Sequence, residues 1–242
     1  MTKGARASAK ETLRETRIMI DMLLLLVFAA TLWLVAGEGP WGAGLVFLCT
    51  LFSALLAMNF FEPLANLLAD QVPSLAPYAD LISLVGLFAG LVFLFRAGVD
   101  AISATTVEVD GRLYHLGRWG FGALTGYLTM AFLLTALHTA PLPRKFIGFR
   151  PERKNLFNMA APDMQWLGFT QHVSEKVFVA RDIFDGPRFT PPGTVQDNTV
   201  WPSFPIRYAS RREQYARGIT AGPVIAPITT SPQNVSQPAV GF

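Results

Sequence analysis

Read from its N-terminus, the chain alternates between long apolar stretches and short polar joints. Four apolar runs stand out, at residues 18–36, 41–61, 78–95 and 119–137. The first carries one acid, Asp21, the third has only Asp80 near its start, and the second and fourth hold no charge. A bilayer's hydrocarbon core, about 30 Å thick, takes about 20 helical residues to cross, and each run is close to that length. Backbone polar groups in hydrocarbon must be satisfied within the segment, so the runs are predicted to be helices. Four such helices in one soluble protein would leave nothing polar to cover them. The expected fold is an all-α membrane protein whose four-helix transmembrane bundle occupies residues 18–138, after a basic N-terminus at residues 1–17.

The joints carry their own signals. Gly37, Gly39 and Pro40 predict a tight turn between the first two spans. Residues 62–77 place apolar side chains at helical spacing after Pro63, which fits either a short interfacial helix or a continuation of the second span. Residues 139–185 begin with Pro141 and Pro143, then a basic segment holding Arg144, Lys145, Arg150, Arg153 and Lys154. An amphipathic helix is predicted next. Pro162 suits its first position, Asp163 its first turn, and Trp166, Phe169, Val173 and Val177 recur at helical spacing. It has three candidate sites: the membrane surface, the bundle, or a partner protein. From residue 186 to 242 prolines interrupt any regular element, and the tail is expected to be largely irregular and disordered. The aromatic stretch from Trp201 to Tyr208 is the exception, either a binding motif or an anchor that folds back.

Composition agrees with the pattern. Charged residues make up 15% of the chain, against about 25% in soluble domains. The net charge of +3 matters less than its placement. Basic residues crowd the N-terminus (Lys3, Arg6, Lys10, Arg14, Arg17) and the segment after the fourth span, which predicts both termini on the cytoplasmic side. Arg96, Arg112 and Arg118 would lie outside and count against that orientation. The basic start and first apolar run loosely fit a signal peptide. Leu34 stands where a cleavage site prefers a small residue, however, and the run is long enough to span. The single cysteine, Cys49, excludes an intrachain disulfide or a cysteine-based zinc site.

Small residues recur four apart at Ser53 and Ala57, at Gly86 and Gly90, and at Gly122 and Gly126. Such stripes let helix backbones approach closely in lipid, within one bundle or between copies in a homo-oligomer. Thr125 and Thr129 are placed to add hydrogen bonds between helices. Asp21 is the intramembrane acid and therefore a site candidate. It lies one turn inside its span, where reaching headgroup water is the expected arrangement. Candidate chemistry is otherwise thin. His115, His138 and His172 lack metal-ligand spacing, no phosphate-binding loop or Gly-x-Ser-x-Gly elbow occurs, and basic residues do not interleave with aromatics. Neither an enzyme, a cofactor, a metal nor a nucleic-acid partner is expected. The bilayer itself and a protein bound through the tail are.

The chain resembles the colicin V production protein family of bacterial inner-membrane proteins. The resemblance rests on Ile20-Asp21 opening the first span, the glycine-rich turn at residues 37–44, the spacing of four spans, and Gly122-Ala-Leu-Thr-Gly126-Tyr-Leu in the last. Arg118 stands where the family has a glycine, Tyr114 where it has an aspartate, and Glu38 precedes the glycines of the turn. The resemblance covers the spans and leaves the C-terminal extension outside. It implies a non-enzymatic role in toxin production or export, or in envelope maintenance. A small oligomeric channel or transporter is the alternative, although pores usually carry polar groups within their spans. Asp21→Asn is expected to leave membrane insertion intact, as measured by alkaline extraction of membranes.

Overall fold

The computed structural model describes residues 3–102, 111–142, 149, 154–157, 159–177, 204 and 208. Outside them lie the third connection, most of the basic segment, and the proline-rich tail other than Phe204 and Tyr208. Among the described residues the chain is helical and contains no strand, only an isolated bridge between Leu156 and Ala160. Four helices are long and apolar enough to cross a membrane: α1 (Lys3–Ala36), α2 (Gly39–Gln71), α3 (Ala79–Ile102) and α4 (Gly111–Thr139). A shorter α5 (Pro162–His172) follows, continued by a wide π turn at Val173–Val177.

The first joint is as tight as its residues predict. Short bonds from Gly37 N–H to Leu34 O (3.3 Å) and from Glu38 N–H to Val35 O (3.1 Å) close α1. Gly39 then turns with φ +76°, a left-handed backbone that disfavours a side chain, before Pro40 starts α2. The second joint does not form an interfacial helix. α2 runs through Pro63 to Gln71, 33 residues in all, or about 50 Å of helix at 1.5 Å per residue. That exceeds the hydrocarbon thickness by about 20 Å. The packing explains why Pro63 does not end the helix: Phe61 and Ala65 on either side of it are both buried against the rest of the protein. A 3-10 turn, Pro73–Tyr78, leads directly into α3.

The helices alternate in direction. Arg96, near the end of α3, donates to Glu38 in the first turn at 2.8 Å and also pairs with Asp100 at 3.0 Å. At the same end, Gly117 near the start of α4 lies against Pro40 at the start of α2. α4 therefore runs antiparallel to α1 and parallel to α2, and it sits between them. It is the most enclosed span, while α3 packs chiefly on α2 and leaves most of its surface outward. The larger core joins α2, α3 and α4 through Ala54, Met58, Phe61, Leu84 and Phe132, with Phe88 stacked on Phe132 at 4.2 Å. A second core fills the α1–α4 seam with Ile20, Leu24, Met130 and Leu134.

The three small-residue stripes have different fates. Ser53 and Ala57 are fully buried within the bundle. Gly122 and Gly126 receive the backbone of α1. A β-carbon added at Gly122 would stand 3.1 Å from Leu32 O, and one at Gly126 would stand 2.9 Å from Phe28 O. Gly86 and Gly90 meet nothing within 4 Å and face outward. The expected interhelical bond from Thr125 is absent, because its hydroxyl donates to Phe121 O of its own helix at 2.8 Å. Thr50 and Thr135 bond back to their own helices in the same way. Gly126→Ala is expected to destabilise the protein by about 1–3 kcal/mol, since the neighbour is backbone and must shift. Gly90→Ala is expected to leave stability unchanged or slightly raised; melting curves in detergent compare the two.

Candidate functional site

The densest polar cluster forms where α4 ends and α5 begins. His138 closes the last turn of α4, and Asp163 occupies the first turn of α5, started by Pro162. His138 Nε2 lies 2.9 Å from Asp163 Oδ2, and both side chains are 0% exposed. The Asn155 amide donates to the same oxygen at 3.2 Å. Asp163 thus faces two hydrogen-bonding groups while its helix's N-terminal dipole favours negative charge. His138 Nδ1 and Asp163 Oδ1 are buried without a hydrogen-bond partner.

Aromatic rings seal this cluster. Phe149 stands edge-on to His138 at 5.1 Å, and Phe204 lies 6.4 Å from it. Phe204 also meets Phe61 of α2 at 6.2 Å and packs on Tyr208 at 4.6 Å. Phe204 and Tyr208, at 0% and 2% exposure, fold back into the larger core. Of the two roles open to this aromatic stretch, these two residues act as the anchor. On α5, Tyr127 of α4 hydrogen-bonds Gln165, and Trp166 and Leu167 join the core.

α5 docks on the bundle by a face that its apolar residues predict only in part: Trp166, Leu167 and Val173 are buried as expected. Phe169 and Val177 are exposed, whereas Asp163, Trp166, Leu167, Thr170, Val173 and Ser174 are buried. Two of the buried polar members find partners close by: Thr170 donates to Leu167 O at 2.8 Å and Ser174 to Gln171 O at 3.0 Å, while Trp166 Nε1 is buried without an acceptor. The helix also ends earlier than its pattern predicts, at His172.

Asp21 lies beside the same end of the bundle. It is 7% exposed, and its Oδ1 accepts the Phe157 N–H at 2.9 Å. Its Oδ1 is therefore satisfied from within the protein. Phe157 has φ +49°, a left-handed conformation costly for a residue with a side chain. It sits in a small loop closed by two 3.1 Å bonds between Leu156 and Ala160. The acid of the first span thereby holds a loop 136 residues further along the chain.

The cluster can hold elements together and orient them. With His138 and Asp163 fully enclosed, a substrate has no direct access to either in this conformation. His115 is exposed with its ring against Tyr114, and His172 is exposed at the end of α5. Among the described residues, no group of three or more His, Cys, Asp or Glu is placed to hold a metal ion. No protein family's model matches the chain, and no curated protein or solved structure matches it either.

The pairing of His138 with Asp163 escaped the reading of the sequence, which treated each as a separate helix-end residue. Their only sequence signal is that a C-terminal histidine and an N-terminal aspartate flank one connection. His138→Ala and Asp163→Ala are each expected to cost about 1.5–3 kcal/mol of stability. The double variant is expected to cost little more than either alone, a coupling read from a double-mutant cycle in melting experiments.

Proposed function

We propose that the chain is a non-enzymatic protein of the bacterial cytoplasmic membrane, with both termini in the cytoplasm. It works through helix packing and partner binding. The features it shares with the colicin V production family, Ile20-Asp21, the turn at residues 37–44 and Gly122 with Gly126, are the support for a role in toxin production or export, or in maintenance of the cell envelope.

The observation that carries this reading is the contrast between two identical motifs. In α4, Gly122 and Gly126 hold a neighbouring backbone, while in α3 the same spacing at Gly86 and Gly90 is open. The surrounding side chains Ile82, Phe93 and Leu94 are exposed as well. A helix of a partner, either a second copy or another membrane protein, fits such a flat face by dispersion contact. The conspicuous chemical groups support the same conclusion from the other side, because His138, Asp163 and Asp21 are spent on internal hydrogen bonds.

A photo-crosslinking residue placed at Leu94 in living cells, followed by identification of captured proteins, tests the proposal. Capture of this chain itself or of one recurrent membrane protein is expected, and loss of that capture in Gly90→Leu. Reproducible ion conductance of the purified protein in proteoliposomes would replace this reading with a channel.

A further inference from the structure

The end of the bundle opposite the His138 cluster carries exposed tryptophans. Trp33 lies near the end of α1, Trp41 near the start of α2 and Trp119 in α4. Trp33 and Trp119 meet at 6.4 Å. Amphipathic rings gather where headgroups meet hydrocarbon, so this ring of tryptophans marks the depth of the lipid headgroups.

Two arginines on the spanning helices are described at this end with specific neighbours, and they are treated differently. Arg96 is held by Glu38 at 2.8 Å and Asp100 at 3.0 Å. Arg118 has aromatic faces instead of carboxylates. Its guanidinium carbon lies 5.1 Å from the Trp119 ring centre and 5.7 Å from that of Tyr114. Nε is closed off from solvent without an acceptor. Among the described residues no carboxylate pairs with Arg118 and no acceptor takes its donors. The rings flank the guanidinium, and among the described residues no acceptor engages its terminal N–H groups.

A cation at headgroup depth with no counter-ion among the described residues calls for an external one. The group abundant at that depth is lipid phosphate, and a planar guanidinium matches its oxygens with two parallel hydrogen bonds. Stacking on Trp119 and Tyr114 pre-orients the fork, so less side-chain freedom is lost on binding. We propose that Arg118, framed by Trp119 and Tyr114, binds the phosphate of an anionic phospholipid headgroup. The proposal rests on the transmembrane reading of the chain.

Native mass spectrometry of the full-length protein in detergent, supplied with phosphatidylglycerol and phosphatidylcholine, tests it. Wild type is expected to retain phosphatidylglycerol preferentially, and Arg118→Gln to lose about tenfold in apparent affinity for the first such lipid. Total lipid retained, which reports embedding in the apolar phase, is expected to stay the same. Arg118→Met, which keeps the apolar stem, gives the same reading if glutamine disturbs the fold, and melting in phosphatidylcholine alone identifies the folded variant. Arg112→Gln, an equal loss of charge on an exposed residue outside the aromatic frame, is expected to change nothing. An unaltered preference in the folded Arg118 variant, or an equal loss in Arg112→Gln, overturns the proposal. So does displacement of the lipid by inorganic phosphate at matched concentration, which would identify the ligand as a free anion.

Discussion

The seam between α1 and α4 sets the terms for the rest of the bundle. Lipid tails are as apolar as leucine, so burying apolar side chains between spans gains little, and close dispersion contact has to hold the helices. Gly122 and Gly126 supply it by removing the atoms that would stand between α4 and the carbonyls of Leu32 and Phe28. With α1 seated there, α4 becomes the central helix, enclosed by α1 on one side and α2 on the other. The threonine hydroxyls contribute no cross-helix bonds, because Thr50, Thr125 and Thr135 are each satisfied by a carbonyl one turn back. Shape complementarity thus carries the association that hydrogen bonding leaves aside.

The end of the bundle near His138 is built differently. α5 packs along the second half of α4, from His138 back to Tyr127, and Phe204 and Tyr208 join the same core, Phe204 against Phe61 of α2. The polar groups buried there need partners of their own. His138, Asp163 and Asn155 form one such set, and Asp21 with the Phe157 N–H forms another. Both sets join segments far apart in sequence. The segment from Asn155 through α5 is therefore tied to the first and the fourth spans at once.

The spans were legible because long apolar runs have few alternative fates, and the turn at Gly39 because its residues demand it. What failed did so for identifiable reasons. Pro63 suggests a helix start, but the packing of Phe61 and Ala65 outweighs the hydrogen bond a proline forfeits. The buried face of α5 was legible in part: Trp166, Leu167 and Val173 are buried as their spacing predicts, while Asp163, Thr170 and Ser174 look solvent-seeking and join them through internal bonds. Phe169, apolar and correctly spaced, is left exposed by the same rotation of the helix. Asp21 was recognised as the acid to watch, but its partner is a backbone N–H 136 residues away, and nothing local encodes that distance.

The small-residue stripes show what a spacing motif encodes and what it omits. Gly86 and Gly90 repeat the spacing of Gly122 and Gly126, yet one pair is open and the other holds a helix. The motif specifies a flat surface; the neighbour is set by the connections between helices. In water an open apolar face would be costly and would drive immediate association. In hydrocarbon, lipid tails cover it, so a monomer with α3 unpaired is no less soluble in its solvent than a paired one. Association at this face then depends on dispersion contact and on how concentrated the partner helix is in the membrane. An obligate interface would be insensitive to that concentration, whereas a face of this kind would respond to it, and the partner binding proposed for α3 would then be an adjustable property, separate from the fold.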